Sequence, residues 1–510
     1  ALTIYLIQYF VGADAVIGWN VTDQLQDVNL TLDSFTRGIF NFTVQAPGFL
    51  VVESFEASDM RTNHAATYAY GVLTAFGLAG LLAVVPSLPR WWYLGGMMVF
   101  IGLVVSFQTD VLQVAGLTNW VVPGVTLAVF LPVSYWFHAF RPDISVAFRL
   151  GVFAVLIAAV AASWAFFAKS PLPTMSLLAY GTRVLALLAV LFIVLVSVEI
   201  PAALLLLITG SGVAAGRNSI FHFSVITLFY VANLVVAYLN SSGLIEWDFM
   251  YVNAFYLLVV SVVLGVWGFR RRIDDVLSDP YGAMLYIGWA VLALGTIGYS
   301  FATGNDPMSD LYEDTIVYSH LAMGVAFFLY VYVNFRGPMA QGLPIHKIVF
   351  QPRIMPFGLA LALTGLIMLI LLLRVGMFPF NQGVAGYHNY LGDLYFAQEQ
   401  DVLAETYYKK ALLFQQSNHK SNYALASIAR RHDNPEAMAA FLKQAIDNKP
   451  TPHTYAALSQ LYSREDLFFD ALFTLREGTR RFPDNGELLH NMAVLYERTR
   501  LPDSAYYFYQ

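Results

Sequence analysis

Apolar residues run in blocks of about twenty, split by short polar breaks, from the start of the chain to residue 377. A bilayer core takes about 20 apolar helical residues to cross. The blocks therefore predict eleven spans, near 1–19, 66–86, 92–109, 120–139, 146–168, 175–199, 219–240, 249–269, 281–303, 316–335 and 354–377. The segment after Glu199, PAALLLLITG, is too short to cross alone, and Pro201 predicts a break or kink that joins it to the sixth span. A separate crossing there would invert everything downstream. The last block, Met355 to Met377, closes on Arg374, and the residues after it read as a soluble helical array.

One long polar stretch, residues 20–65, follows the first block. It holds Asp23, Asp27, Asp33, Glu53, Glu56 and Asp59 against Arg37 and Arg61. Within it IFNFTVQAPGFLVV is too polar to span, and is expected to lie in the membrane interface or to pair as short strands. Asn20, Asn29 and Asn41 each open an N-x-T triplet, an acceptor only in a host that glycosylates such sites.

Composition agrees with the blocks. Hydrophobic residues make up 58% of the chain and charged residues 12%, against about 25% charged in soluble domains. Residues 385–510 hold 13 Lys/Arg and 15 Asp/Glu, whereas the first 384 residues hold 15 and 19. The fold class expected is all-α: a polytopic membrane domain over 1–377, with 20–65 as an outer-side loop, then a soluble domain over 378–510. The net charge of −6 gives no basic surface for nucleic acid. The absence of cysteine excludes disulfides, thiolate metal sites and cysteine nucleophiles, and suits a protein facing an oxidising compartment. Ala1 already stands in an apolar run and Gln510 in a predicted helix, so further chain is expected at both ends.

Loop charges set the orientation. Arg90, Arg141, Arg149, Arg217, Arg270, Arg271, Arg272, Arg336, Lys347 and Arg353 fall in alternate short loops, and Lys169 alone falls in the intervening ones. Ten against one satisfies the positive-inside rule. It places the N-terminus in the cytoplasm and residues 378–510 on the outer side, the periplasm if the membrane is a bacterial inner membrane.

Ionisable groups at membrane depth are costly and are candidates for function. Asp14, Arg183, Glu199, His222 and His320 fall there, with Asn233 and Asn253 as neutral additions. One reading is a proton or ion path. The other is structural: an acid for Arg183 on a neighbouring helix, Glu199 at the interface, and local hydrogen bonds for the histidines. Two histidines are also the number that a haem needs, but nothing around them supports one. No C-x-x-C-H, Walker loop, G-x-G-x-x-G, H-E-x-x-H or G-x-S-x-G is present, so no cofactor or metal is expected.

The tail repeats itself. Small residues recur at Gly392, Ala426, Ser459 and Ala493, at spacings of 34, 33 and 34, and again at Ala404, Ala437, Ala471 and Ala505. Leu391, Tyr395, Tyr408 and Ala411 complete the first unit, Leu458, Tyr462 and Pro483 mark the third, and Met492 and Tyr496 mark the fourth. In type and spacing this resembles the tetratricopeptide-repeat family over residues 385–510. The second unit departs most, with Arg430-Arg431-His432-Asp433-Asn434-Pro435 at its turn, and the fourth stops within its second helix. The resemblance implies an α-solenoid of about four repeats whose concave groove binds peptides or proteins.

Three functions fit this layout. The first is an anchored scaffold whose repeats recruit partners in a cell-envelope complex, with membrane lipids as its other contacts. The second is an enzyme: the arrangement of spans and outer domain resembles the GT-C glycosyltransferases, including the transmembrane and tetratricopeptide O-mannosyltransferases. That resemblance nominates Asp23 or Asp27 as base or metal ligand, although the paired acids of that class are missing. The third is a proton-coupled transporter or motor-associated subunit using Asp14, Glu199 or His320.

Overall fold

The computed structural model describes residues 1–117, 120–210, 219–245, 247, 251–274, 276–277, 279–351, 354–499 and 502–510, with backbone alone at 13, 14, 24, 26–28, 50, 448 and 502. Arg217 and Arg353, and the side chains of Asp14 and Asp27, lie outside the described residues. Among the described residues the regular structure is helical except for one long hairpin of two strands.

The order is α1 (Leu2–Val11), β1 (Trp19–Arg37), β2 (Phe40–Ala57), α2 (His64–Val84), α3 (Arg90–Ser106), α4 (Val121–Ala139), α5 (Val146–Phe167), α6 (Pro173–Val196), α7 (Glu199–Gly210), α8 (Ser219–Ser241), α9 (Ala254–Ile273), α10 (Tyr281–Ala302), α11 (Asp306–Ala340) and α12 (Phe357–Arg374). Eight shorter helices follow in pairs: α13 (Phe378–Ala397) with α14 (Asp401–Phe414), α15 (His419–Arg431) with α16 (Pro435–Asn448), α17 (Pro452–Arg464) with α18 (Phe468–Arg481), and α19 (Gly486–Arg498) with α20 (Pro502–Tyr509).

Among the described residues ten helices are long and apolar enough to cross a membrane, with α6 and α7 counted as one path of 38 residues. The break between these two falls at Ser197–Val198. Pro201 has no N–H to give the Ser197 carbonyl, so the helix is interrupted one turn before it. Two expectations change. The block at 1–19 forms an α-helix only to Val11, because Gly12 turns the chain with φ 57°; a short 3-10 turn follows at Gly12–Ala15, and Trp19 already opens a strand. The acidic stretch at 304–315 is not a loop: Asp306 and Pro307 start α11, and its first turns carry those acids. Proline at the first turn and an acid beside free N–H groups both favour a helix start.

Compactness divides the chain after Gln415, whereas the hydropathy boundary lies at Met377. One unit comprises residues 1–12 and 63–415. The other comprises 13–62 and 416–510.

In the first unit α11 and α10 hold more buried residues than any other helix. α2 and α10 approach at glycines: a Cβ on Gly77 would stand 2.6 Å from Leu292, and Gly288 Cα lies 3.5 Å from where a Gly80 Cβ would be. Small residues let helix backbones meet where lipid supplies no hydrophobic drive. Hydrogen bonds between Tyr70 and Thr296 (3.1 Å) and Thr67 and Tyr299 (3.2 Å) join the same two helices. α13 belongs here as well. The Asn305 side chain donates to the Gly386 carbonyl at 2.9 Å, Gln382 donates to Asp314 at 3.0 Å, and the hydroxyls of Tyr180 and Tyr395 lie 3.0 Å apart.

In the second unit the hairpin accompanies α15–α20. β1 and β2 pair antiparallel from Trp19 opposite Ala57 to Arg37 opposite Phe40, with one bulge between Thr31 and Asp33. These strands, of 19 and 18 residues, are far longer than the short strands expected. Trp19, Val21 and Leu25 share one face by the period of two that marks a strand, interrupted by Asp23, and Gly38 (φ 71°) makes the turn. Pro47 is tolerated because every strand of a two-stranded sheet is an edge.

The helical pairs are cut by local chemistry. Asn418, Asn434, Thr451 and Asn485 accept from the N–H three residues on, capping α15, α16, α17 and α19. The turns inside the pairs bend at Asp433 and Asp466 with φ of 51° and 58°. The small periodic positions lie where helices meet. Ala426, Ser459, Ala471, Ala493 and Ala505 are buried, Ala437 is half-buried, and the Ser459 hydroxyl donates to the Ala471 carbonyl at 3.2 Å. In the pair α13–α14, Leu391, Ala404 and Ala411 are buried, and a Cβ on Gly392 would come within 2.6 Å of the Tyr408 ring. Tyr395, Tyr462 and Tyr496 are half-buried, and Pro483 is exposed between α18 and α19.

Candidate functional site

The most built site among the described residues is a clamp in the second unit. There α15, α17 and α19, the first helix of each pair, hold the end of β2 and the residues just after it. Phe55 is gripped through its backbone: its N–H donates to Asn491 Oδ1 at 2.9 Å, and Asn491 Nδ2 donates to its carbonyl at 2.8 Å. His490 donates from Nε2 to the Glu53 carbonyl at 2.9 Å and meets the Phe55 ring edge-on at 5.1 Å. Further along, the Tyr423 hydroxyl donates to the Ser58 carbonyl at 2.7 Å, and the Met60 N–H donates to Ser427 Oγ at 3.1 Å. Trp19, opposite Ala57 in the ladder, stacks on His453 at 4.3 Å. Ala57, Ser58 and Met60 are almost fully buried.

Charge reinforces the grip. Arg430 pairs with Asp59, and Arg464 pairs with Glu56 at 3.2 Å. Arg430, Arg464 and Arg498 stand in the last turns of α15, α17 and α19, 34 residues apart each time. Glu53, Glu56 and Asp59 stand three residues apart. Three residues of extended chain cover about 10 Å, close to the 8–10 Å between packed helices. Two of these acids meet the row of arginines, Glu56 within β2 and Asp59 just beyond its end. Beside this strand a cleft of about 220 Å³ stays open, lined by Ser54, Phe55 and Glu56 and by Ser459, Gln460, Ser463, Arg464, Asn491 and Arg498. Bonds to backbone groups hold an extended segment whatever its side chains, and the arginines add a preference for acids.

His419, at the start of α15, is buried, and its Nε2 lies 3.0 Å from the Thr454 hydroxyl of α17. Burial, with Lys449 and His453 adding like charge, pushes its pKa down to about 3. The folded value lies below the ordinary 6.5 of an unfolded histidine. Its contribution to stability is therefore complete above pH 6.5 and is lost as pH falls from there towards 3, by at most about 1.4 kcal/mol per pH unit. His419→Gln should flatten this part of the acid dependence of unfolding of residues 416–510. An unchanged slope between pH 6.5 and 4.5, followed by circular dichroism, would remove His419 as its source.

Among the described side chains, the polar residues predicted at membrane depth lie apart from one another, most with a partner of their own. Arg183 lies 4.7 Å from the Tyr387 ring, a cation–π contact where an acid was expected. Glu199, 3% exposed, pairs with Arg272 at 2.5 Å. His320 is fully buried, within 2.8 Å of the Ser261 hydroxyl and 2.9 Å of the Ile316 carbonyl. His222 is exposed beside Phe221. Asn233 accepts from the Val252 N–H, and Asn253 caps α9. Asp23 lies exposed on β1, opposite Glu53. Among the described residues no three His, Asp or Glu side chains converge as a set of metal ligands.

Sequence reasoning passed over Asn491, Tyr423, Ser427 and His490 altogether. A signal for the arginines existed: they share the 34-residue period already read from the small residues. No protein-family model and no curated protein matches this chain.

Proposed function

We propose that the chain is a membrane-anchored scaffold. Its helical pairs act as tetratricopeptide-type repeats that present a strand-binding groove on the outer side of the membrane and organise partners in an envelope complex. The basic loops, read by the positive-inside rule, support that orientation, and the 34-residue period supports the repeat reading. The observation that carries the proposal is the Asn491 clamp on the backbone of Phe55. A groove built to hold an extended segment by main-chain bonds is the means by which such arrays engage proteins. Here it fixes the root of the chain's own hairpin, so partners meet the hairpin and the open cleft beside it.

The test is co-purification from detergent extracts of native membranes. Removal of residues 416–510 should strip the companions and leave residues 63–415 inserted, and Arg464→Glu with Arg498→Glu should weaken the same companions by at least about tenfold. Companions retained in full by the truncated chain would sink the proposal.

A further inference from the structure

Beyond the clamp the hairpin continues as a bare two-stranded ribbon. Pairing gives it two unlike faces near the turn. One carries Thr31, Ser34, Thr36, Asn41, Thr43 and Gln45, with the Thr36 hydroxyl bonded to Asn41 at 2.8 Å. The other carries Phe35, Phe40, Phe42 and Val44, which remain 48%, 63%, 47% and 45% exposed. Phe35 stacks on Phe42 at 5.4 Å, and Phe42 lies 6.4 Å from Phe40. Water should not face such a surface on a ribbon that has no third strand, since isolated hairpins are at best marginally stable.

The same face carries two charges, and their placement says what covers it. Asp33 and Arg37 flank Phe35, two residues to either side. A two-fold axis running across the strands through Phe35 sets one ribbon antiparallel on another. Phe35 then meets its own copy, and each Asp33 faces the other copy's Arg37. A parallel stacking of the same faces sets each charge on its own copy or on an apolar residue of the other strand, Asp33 on Val44 and Arg37 on Phe40, and pairs neither. The pattern is self-complementary, as an isologous contact requires. The exposed parts of the three phenylalanines and the valine come to roughly 400 Å² per copy, and the exposed Asp33 and Arg37 on the same face bring it towards the roughly 500 Å² per copy at which specific interfaces begin.

We propose that this face is a homodimer contact, its partner the hairpin of a second copy of this chain. The contact is read on the full chain in detergent micelles, by light scattering over a range of concentrations. Asp33→Arg and Arg37→Asp should each weaken the dimer by about tenfold, and the double variant should return it to within about twofold of the parent. The chain has no cysteine, so single cysteines report proximity directly. Phe35→Cys should form a disulfide-linked dimer on mild oxidation, and Thr36→Cys, on the opposite face, should not. A double variant no better than the singles overturns the proposal. So does equal cross-linking at both positions, or a chain that stays monomeric while its hairpin tip associates with lipid.

Discussion

Replacing Asn491 with alanine is expected to loosen the hairpin root by about 2–3 kcal/mol, the value of two hydrogen bonds to a partly buried strand edge. The Phe55 N–H and carbonyl point away from β1, and Asn491 is what satisfies them. An unsatisfied sheet edge is also a pairing hazard, so the variant should aggregate more readily. Exchange of the Phe55 amide hydrogen should quicken by roughly 30- to 100-fold, at constant protection of α18. Asn491→Asp separates the two bonds: it keeps an acceptor for the N–H and sets a carboxylate against the Phe55 carbonyl, so it should match or exceed the alanine effect. Unchanged exchange at Phe55 in either variant would mean that the strand is held by its arginine pairs instead.

That clamp shows where the sequence was legible and where it was not. Apolar helices and helical pairs announce themselves because each depends on neighbours within one or two turns: apolar runs for α2 to α12, and small residues with Asn and Thr caps for α15, α16, α17 and α19. The second unit joins residues 13–62 to residues 416–510, and its decisive contacts link positions such as 55 and 491, 436 residues apart. No local pattern encodes such a pairing. Its trace in the sequence is the 34-residue spacing of Arg430, Arg464 and Arg498, and this becomes meaningful only once Glu56 and Asp59 are known to meet two of them. The hairpin was hidden for a related reason. Phe40, Phe42 and Val44 alternate on one face and Phe49 and Val51 on the other, and in a chain this apolar they read equally as an interfacial segment. Arg183 failed differently: a cation beside a tyrosine ring leaves no mark that an acid partner would leave.

The largest effect in the first unit should come from Glu199. It opens α7, where an acid meets free N–H groups, and its partner Arg272 closes α9, where a cation meets free carbonyls, so both helix dipoles favour the pair. The two are buried together at 2.5 Å, with the guanidinium also 5.8 Å from the Phe350 ring. Gly268 makes room: a Cβ there would collide with the Glu199 carboxylate. Breaking one half of such a pair leaves an uncompensated buried charge, at a cost of about 3–5 kcal/mol. Glu199→Leu should therefore lower the thermal midpoint of the chain in detergent sharply, and Gly268→Val should do so by driving the carboxylate out. Adding Arg272→Met to Glu199→Leu removes the stranded charge and should recover most of the loss, since apolar replacements of whole buried pairs are often neutral. The double variant also distinguishes a structural pair from a proton-carrying one. If Glu199 only holds α7 against α9, the rescued chain keeps its stability and its companions. A rescued chain that is stable, and yet has lost proton uptake that the parent shows in sealed vesicles, would return Glu199 to the list of transport residues.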